Sequence, residues 1–313
     1  MRQNNIPLVS VCTIVYNHEP YLRECLEGII MQKTNFAFEV LIHDDASTDR
    51  SADIIREYAT KYPNVFRPKY QTENQYSKGV SFAEMFQIQE ARGKYIALCE
   101  GDDYWTDPLK LQKQVDILEN NEEYGCVYTA YETVDTKGNT IEFLPSVRHM
   151  NRSYTGDIFC ELLVANFPQT LTVMFRKELI NRFSPPYSFD YSLFLSIAIQ
   201  QKFYYLPEKT GAYRINPKGM VQSGDLCKRL DFNAVKLYYF IEYLKNKDFW
   251  REKEEDRRIK RFLYTDCSYV WRKKKYYKYL VELIRINPLY IYMIPMCILH
   301  DICNILSQRK SFK

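Results

Sequence analysis

At 313 residues the chain is long enough for one large domain with an appendage, or for two modest domains. Hydrophobic residues at 46% and charged residues at 26% exclude wholesale disorder. The net charge of +4 hides an asymmetry: residues 1–244 carry 26 Lys and Arg against 31 Asp and Glu, whereas 245–313 carry 17 against 8, a net of +9. A basic tail on a slightly acidic body points to an anionic partner for the tail, lipid or nucleic acid.

In chain order, Met1 to Pro7 shows no apolar signal region, so the chain is expected to be cytoplasmic. Leu8 to Val15 is apolar and β-forming, a first buried strand. Pro20 opens a helix whose apolar positions Leu22, Cys25, Leu26, Ile29 and Ile30 recur at helical spacing. Phe38 to Ile42 is a second strand, and Ser47 or Thr48 is expected to cap the helix carrying Ile54, Ile55 and Tyr58. A short strand at Val65-Phe66 precedes an expected helix from Phe82 to Ala91, closed by Gly93. Tyr95 to Cys99 is a strand, and Asp107-Pro108 starts a helix through Leu111, Val115 and Leu118. Cys126 to Ala130, Thr170 to Phe175, Phe203 to Leu206 and Ala212 to Ile215 are further strand candidates, with a helix over Leu193 to Gln201. The alternation predicts an α/β fold with a parallel sheet and helices on both faces. From about residue 226 the pattern is helical. The nine cysteines are odd in number and contain no Cys-x-x-Cys pair, so neither a disulfide framework nor a zinc site is indicated.

Two acidic clusters follow apolar strands directly: Asp44-Asp45 after Phe38 to Ile42, and Glu100-Gly101-Asp102-Asp103 after Tyr95 to Cys99. Ligands of open α/β sheets bind at the carboxyl ends of such strands. Carboxylates crowded there repel one another unless a cation or hydrogen-bond donors compensate them. Asp45 and Glu100 to Asp103 therefore point to a metal- and nucleotide-binding crevice. All-oxygen donors select a hard cation, Mg²⁺ or Mn²⁺, which suits a diphosphate. Tyr16, at the end of the first strand, is placed to stack on a base.

The runs Val9 to Asn17, Asp44 to Asp49 and Glu100 to Trp105 resemble, in that order, the successive signatures of the family 2 glycosyltransferases. The resemblance covers roughly residues 7–225. It implies a GT-A fold, a Rossmann-like mostly parallel sheet, a nucleotide-sugar donor, most often a UDP-sugar, and inversion at the anomeric centre. Residue by residue, it implies that Tyr16 stacks on the base, that Asp45 binds it, and that Lys78 touches the nucleotide. Glu100, Gly101 and Asp102 match the Asp-x-Asp motif, with Glu100 and Asp102 as cation ligands and Glu in place of the usual first Asp. Asp190 resembles the general base that deprotonates the acceptor hydroxyl. Tyr213-Arg214-Ile215-Asn216 resembles a Tyr-Arg-x-His motif in which Arg214 would hold the diphosphate and Asn216 replaces His.

These assignments divide the chain into a catalytic region at 1–225, with donor binding in 7–130 and the acceptor side in 150–225, and a basic helical region at 226–313. The run from Leu289 to Leu299, broken by Pro295 and preceded by Arg272 to Lys275, is too short to span a bilayer and has the character of an interfacial anchor. A peripheral position on the cytoplasmic membrane face follows, with a saccharide or lipid-linked saccharide as acceptor and no nucleic acid. A competing reading, a nucleotidyltransferase making sugar nucleotides, would require a Gly-rich phosphate loop where this chain has Tyr16-Asn17-His18-Glu19. A non-catalytic binding subunit of transferase descent is the other, disfavoured by the joint presence of Asp45, Asp102 and Asp190.

Overall fold

The computed structural model describes residues 6–78, 80, 86–141, 153–180 and 190–216, with short helical stretches at 235–236, 238–242, 281–282 and 284–285. The chain divides into two compact units, residues 1–158 with 165–223, and residues 159–164 with 224–313. In the second unit the described part comprises the helix α4 (Phe159–Val164) and the short helical stretches. Most of the basic tail, including Arg272 to Lys275 and Leu289 to Leu306, lies outside the described residues.

The first unit is a mixed sheet flanked by helices. Among the described residues its eight strands run in the order β3-β2-β1-β4-β7-β6-β8-β5. β1 (Val9–Val15), β2 (Phe38–Asp44), β3 (Phe66–Tyr70) and β4 (Tyr95–Leu98) form the parallel half. β1 and β4 are buried almost throughout, which is why both read as uninterrupted apolar runs. β7 (Met174–Arg176) runs antiparallel to both β4 and β6 (Tyr124–Val134). β8 (Lys202–Arg214) is parallel to β6, and the two-residue β5 (Tyr104–Trp105) is antiparallel to β8.

The helices α1 (Leu22–Ile30), α2 (Ser51–Lys61) and α3 (Lys110–Asn120) bury Leu22, Cys25, Leu26 and Ile29, Ile54, Ile55 and Tyr58, and Leu111, Val115 and Leu118, respectively. All belong to one apolar cluster with Val9, Val11, Val40, Ile42 and Tyr95. α1 approaches β5 so closely that a Cβ on Gly28 would lie 2.7 Å from the Trp105 carbonyl oxygen. α5 (Asp190–Gln200) is apolar nearly all round and buried from Tyr191 to Ile199, as a helix inside a protein must be.

Several boundaries differ from the sequence reading. The segment expected as one helix over 82–91 falls partly outside the described residues, and its described end is a 3-10 turn at Ile88–Glu90 following Gln87 with φ 54°. α2 starts at Ser51, with Asp49 Oδ1 accepting from the Ser51 amide at 2.9 Å. Ser47 and Thr48 bond across to Asn17 instead. The two short strands expected at 203–206 and 212–215 are one strand, β8, whose register jumps from Leu206 to Lys209. Pro207 sits in that bulge, where the missing amide costs no ladder hydrogen bond. Thr170 to Thr172 forms a 3-10 turn before β7. Among the described residues, no helix is long and apolar enough to cross a membrane.

Candidate active site

Parallel pairing of β1 with both β2 and β4 sets the ends of three strands side by side. The Val15 carbonyl accepts from the Asp45 amide at 2.9 Å, and the Ile14 carbonyl accepts from the Gly101 amide at 2.9 Å. The ladder thus continues past both strand ends, stitching the two acidic clusters to β1. Tyr16, Asp45 and Glu100 to Asp103 line one carboxyl edge, the position the strand pattern implied.

At that edge Asp102 is held through both its side chain and its backbone. Its Oδ2 accepts from Asn216 Nδ2 at 3.1 Å and lies 3.7 Å from His18 Nε2. Its carbonyl oxygen accepts from Arg214 Nε at 2.9 Å. Asp103 is buried, and its Oδ1 accepts from the Arg214 amide at 2.8 Å. Glu100 is pushed up to about 8 from an ordinary 4.5, first by burial and then by the charges of Asp102 and Asp190. Asp190, at the start of α5, accepts from the Tyr191 amide at 2.7 Å and is also held by the Asn166 side chain. Burial raises its proton affinity above that of an ordinary aspartate.

Asp190 thus acts on Glu100 electrostatically although it arrives from a distant part of the chain. Tyr213 faces the same group: burial first, then the charges of Asp103, Glu100, Asp102 and Asp190, raise its phenol strongly. The charges of Asp102 and Asp190 thus reach Glu100, and those of Asp103, Glu100, Asp102 and Asp190 reach Tyr213. Among the described residues, no Lys or Arg side chain forms an ion pair with Glu100, Asp102 or Asp190.

The remaining expected residues sit differently from a free ligand-binding set. Tyr16 is 45% exposed, available to a stacking base. Asp45 is 1% exposed, and its carboxylate is already engaged, accepting from the Gln75 amide at 2.6 Å and the Tyr76 amide at 3.1 Å. It shapes the loop at 74–76 in this conformation. Lys78 is exposed and ion-paired with Glu73. Arg214 departs furthest from the reading as a phosphate-holding arm. Its buried guanidinium donates to Glu24 Oε2 at 2.5 Å, to the Asp135 carbonyl at 3.1 Å and to the Asp102 carbonyl. It also stacks near the rings of Tyr21 and Tyr104, at 4.7 and 5.3 Å. With these partners the guanidinium forms a clamp behind Asp102 and Asp103 in this conformation.

The donors fit a hard divalent cation, since Glu100 and Asp102 offer carboxylate oxygens and no softer ligand atom. Among the described residues no three His, Cys, Asp or Glu side chains converge tightly enough to hold an ion alone. Phosphate oxygens would have to complete the shell, as Mg²⁺-type sites usually arrange.

With this edge defined, the comparisons decide the family. The model for Glycosyl transferase family 2 matches residues 10–183. The chain belongs to glycosyl transferase family 2. This family 2 chain is 37% identical over 230 residues to an uncharacterized protein of Mycobacterium tuberculosis, covering 71% of the present chain and 62% of that one. The chain thus spans less than two thirds of that relative's length. An uncharacterized glycosyltransferase of Haemophilus influenzae is 28% identical over 260 residues, covering 77% of this chain and 97% of the other. In fold, this chain resembles TarS 1-349 of S. aureus, solved with UDP-GlcNAc, at TM-score 0.61 and 19% identity over 93% of this chain and 82% of that one. It also resembles the mannosyltransferase PcManGT of Pyrobaculum calidifontis, solved with GDP-Man and Mn²⁺, at TM-score 0.54 and 14% identity over 97% and 81%. The family 2 chain has the GT-A fold, α/β with the parallel half carrying the acidic edge.

Of the residues in this pocket, sequence reasoning passed over His18, Glu24 and Asn166. None belongs to a run or spacing that signals chemistry, and each reaches the pocket only through the fold. Tyr213 was within a recognisable motif, but its neighbours could not be read from it.

Proposed function

We propose that this chain transfers a sugar from a nucleotide-sugar, a UDP-sugar in the first instance, to a saccharide or lipid-linked saccharide acceptor with inversion, in the building of a cell-envelope polysaccharide. The observation that carries this reading is the placement of Glu100 to Asp103 at the carboxyl edge of β1 and β4, where the charge of Asp190 also acts on Glu100. Tyr16 stacks on the base. Glu100 and Asp102 would hold Mn²⁺ or Mg²⁺ together with the donor diphosphate, and Gly101 between them leaves the space that a Cβ would take from the His18 ring. When bound, the cation supplies neutralisation of the charge that grows on the departing diphosphate.

Asp190 takes the proton of the acceptor hydroxyl as that oxygen attacks the anomeric carbon from the face opposite the diphosphate. Its burial favours this role, because a carboxylate with raised proton affinity is a better match to a hydroxyl near neutral pH. Asn166 and the Tyr191 amide orient it. Single displacement of this kind inverts the sugar. Early-time NMR of the sugar released from an α-linked UDP-sugar should show the β anomer. Release of the α anomer would contradict the assignment of Asp190 to a single displacement.

The basic tail gives this reading a location. We assign residues 245–313, net +9, to the anionic face of the membrane, each basic residue near the surface contributing about 1 kcal/mol. The full chain should bind phosphatidylserine-containing vesicles at low salt and bind less as salt screens the attraction. A chain that ignores such vesicles at low salt would place the acceptor in solution.

A further inference from the structure

His18 enters neither the strand pattern nor the acidic clusters, yet it is built into the pocket with care. It follows Asn17, which has φ 55°, at the exit from β1. Its amide donates to Ser51 Oγ at 2.9 Å, and its carbonyl accepts from the amides of Tyr21 and Leu22, both at 2.9 Å, where α1 begins. The backbone is therefore tied at both sides, so the imidazole has a fixed origin. The ring lies against Gly101: a Cβ at that position would come 2.8 Å from His18 Nδ1 and 2.9 Å from Val15 Cγ2. The glycine between Glu100 and Asp102 is thus the space in which the imidazole sits.

The two ring nitrogens have unequal surroundings. Nδ1 is buried with no hydrogen-bond partner. Nε2 faces Asp102 Oδ2 at 3.7 Å. A buried donor without an acceptor is costly, so the single proton of a neutral ring belongs on Nε2, the side where a carboxylate is present. At 3.7 Å the contact is electrostatic and not yet a hydrogen bond; a shift of a few tenths of an ångström closes it. The same oxygen already accepts from Asn216 Nδ2 at 3.1 Å. Two donors from opposite ends of the catalytic unit therefore aim at one oxygen of Asp102.

We propose that His18 is a positioning residue for Asp102: seated over Gly101, it acts with Asn216 to hold Oδ2 and so reserves Oδ1 for the divalent cation. This rests on the reading of Asp102 as a cation-holding residue. A carboxylate with one oxygen fixed presents the other at a set angle, and such supporting contacts typically govern metal affinity by about 10–100-fold. Gly101 and His18 are then one device, because any side chain at 101 displaces the ring.

The test is UDP titration by calorimetry in Mn²⁺ and in EDTA, with wild type, His18→Ala, His18→Gln, Gly101→Ala and the His18→Ala/Gly101→Ala pair. His18→Ala should lose about 10–100-fold of affinity in Mn²⁺ and almost none in EDTA. His18→Gln, whose amide nitrogen takes the place of Nε2, should recover most of the loss. Gly101→Ala should resemble His18→Ala, and the double variant should be no weaker than His18→Ala alone, since the ring is already gone. Equal losses in Mn²⁺ and EDTA, failure of Gln to rescue, or additive losses in the double variant would overturn the proposal. So would nitrogen coupling to Mn²⁺ in pulsed EPR of wild type that His18→Gln abolishes, because His18 would then be a ligand itself. If Mn²⁺ leaves wild-type UDP affinity unchanged, the cation reading of Asp102 fails, and the role of His18 with it. Metal-dependent binding that His18→Ala leaves intact removes the role of His18 alone.

Discussion

Exchanging Asp190 for Asn should lower turnover by roughly 10²–10⁴-fold, the range of a general base, while UDP affinity stays nearly constant. The substitution preserves shape. An amide oxygen still accepts from the Tyr191 amide, now bonded at 2.7 Å, so the start of α5 is kept. What is lost is proton acceptance in a pocket where burial has raised it. The nearby charge of Asp190 also raises Glu100, so its removal should ease ionisation of Glu100, and donor binding should not suffer. Steady-state turnover with a UDP-sugar and calorimetric UDP affinity, measured on the same preparation, separate the two effects. Weakened UDP binding with turnover spared would make Asp190 a donor ligand and place the base elsewhere.

Asp102→Ala should abolish metal-stimulated turnover, a loss of about 10³-fold or more given the several kcal/mol of charge stabilisation a cation supplies at a departing diphosphate. EDTA should reduce the wild type to the same level, and the variant should not respond to EDTA at all. The fold should survive. Asp102 is tied to the scaffold through its carbonyl, which accepts from Arg214 Nε at 2.9 Å, and that bond remains in the alanine variant. The neighbouring Asp103 keeps its bond to the Arg214 amide. Circular dichroism and the thermal midpoint without ligand check this directly. Undiminished turnover of Asp102→Ala in EDTA would contradict the cation assignment.

The carboxyl edge was legible because parallel strands buried on both faces leave continuous apolar runs, and the polar residue that ends each run must lie at the sheet edge. That logic located Tyr16, Asp45 and Glu100 to Asp103 before any contact was known. It does not reveal which groups of remote segments a residue will meet. Asp45 has the same surroundings in sequence whether its carboxylate meets a base or the amides of Gln75 and Tyr76. Arg214 follows a tyrosine in a motif suggestive of phosphate binding, yet its partners Glu24, Asp102 and Asp135 come from three other segments. β8 reads as two strands in the sequence because the bulge between Leu206 and Lys209, with Pro207 inside it, leaves no periodic trace. His18 was invisible for the opposite reason: its significance comes from the missing side chain of Gly101.

The central claim is that one acidic edge, built from the ends of β1 and β4 and the start of α5, holds cation, diphosphate and acceptor base together. An anomalous-difference map at the manganese edge, from crystals of the full chain grown with UDP and Mn²⁺, tests it most directly. The account predicts a single strong peak about 2.1 Å from Oδ1 of Asp102, in contact with the UDP phosphates, with Asp190 on the open side of the pocket. A manganese peak remote from Asp102, or UDP bound away from the carboxyl ends of β1 and β4, would contradict it.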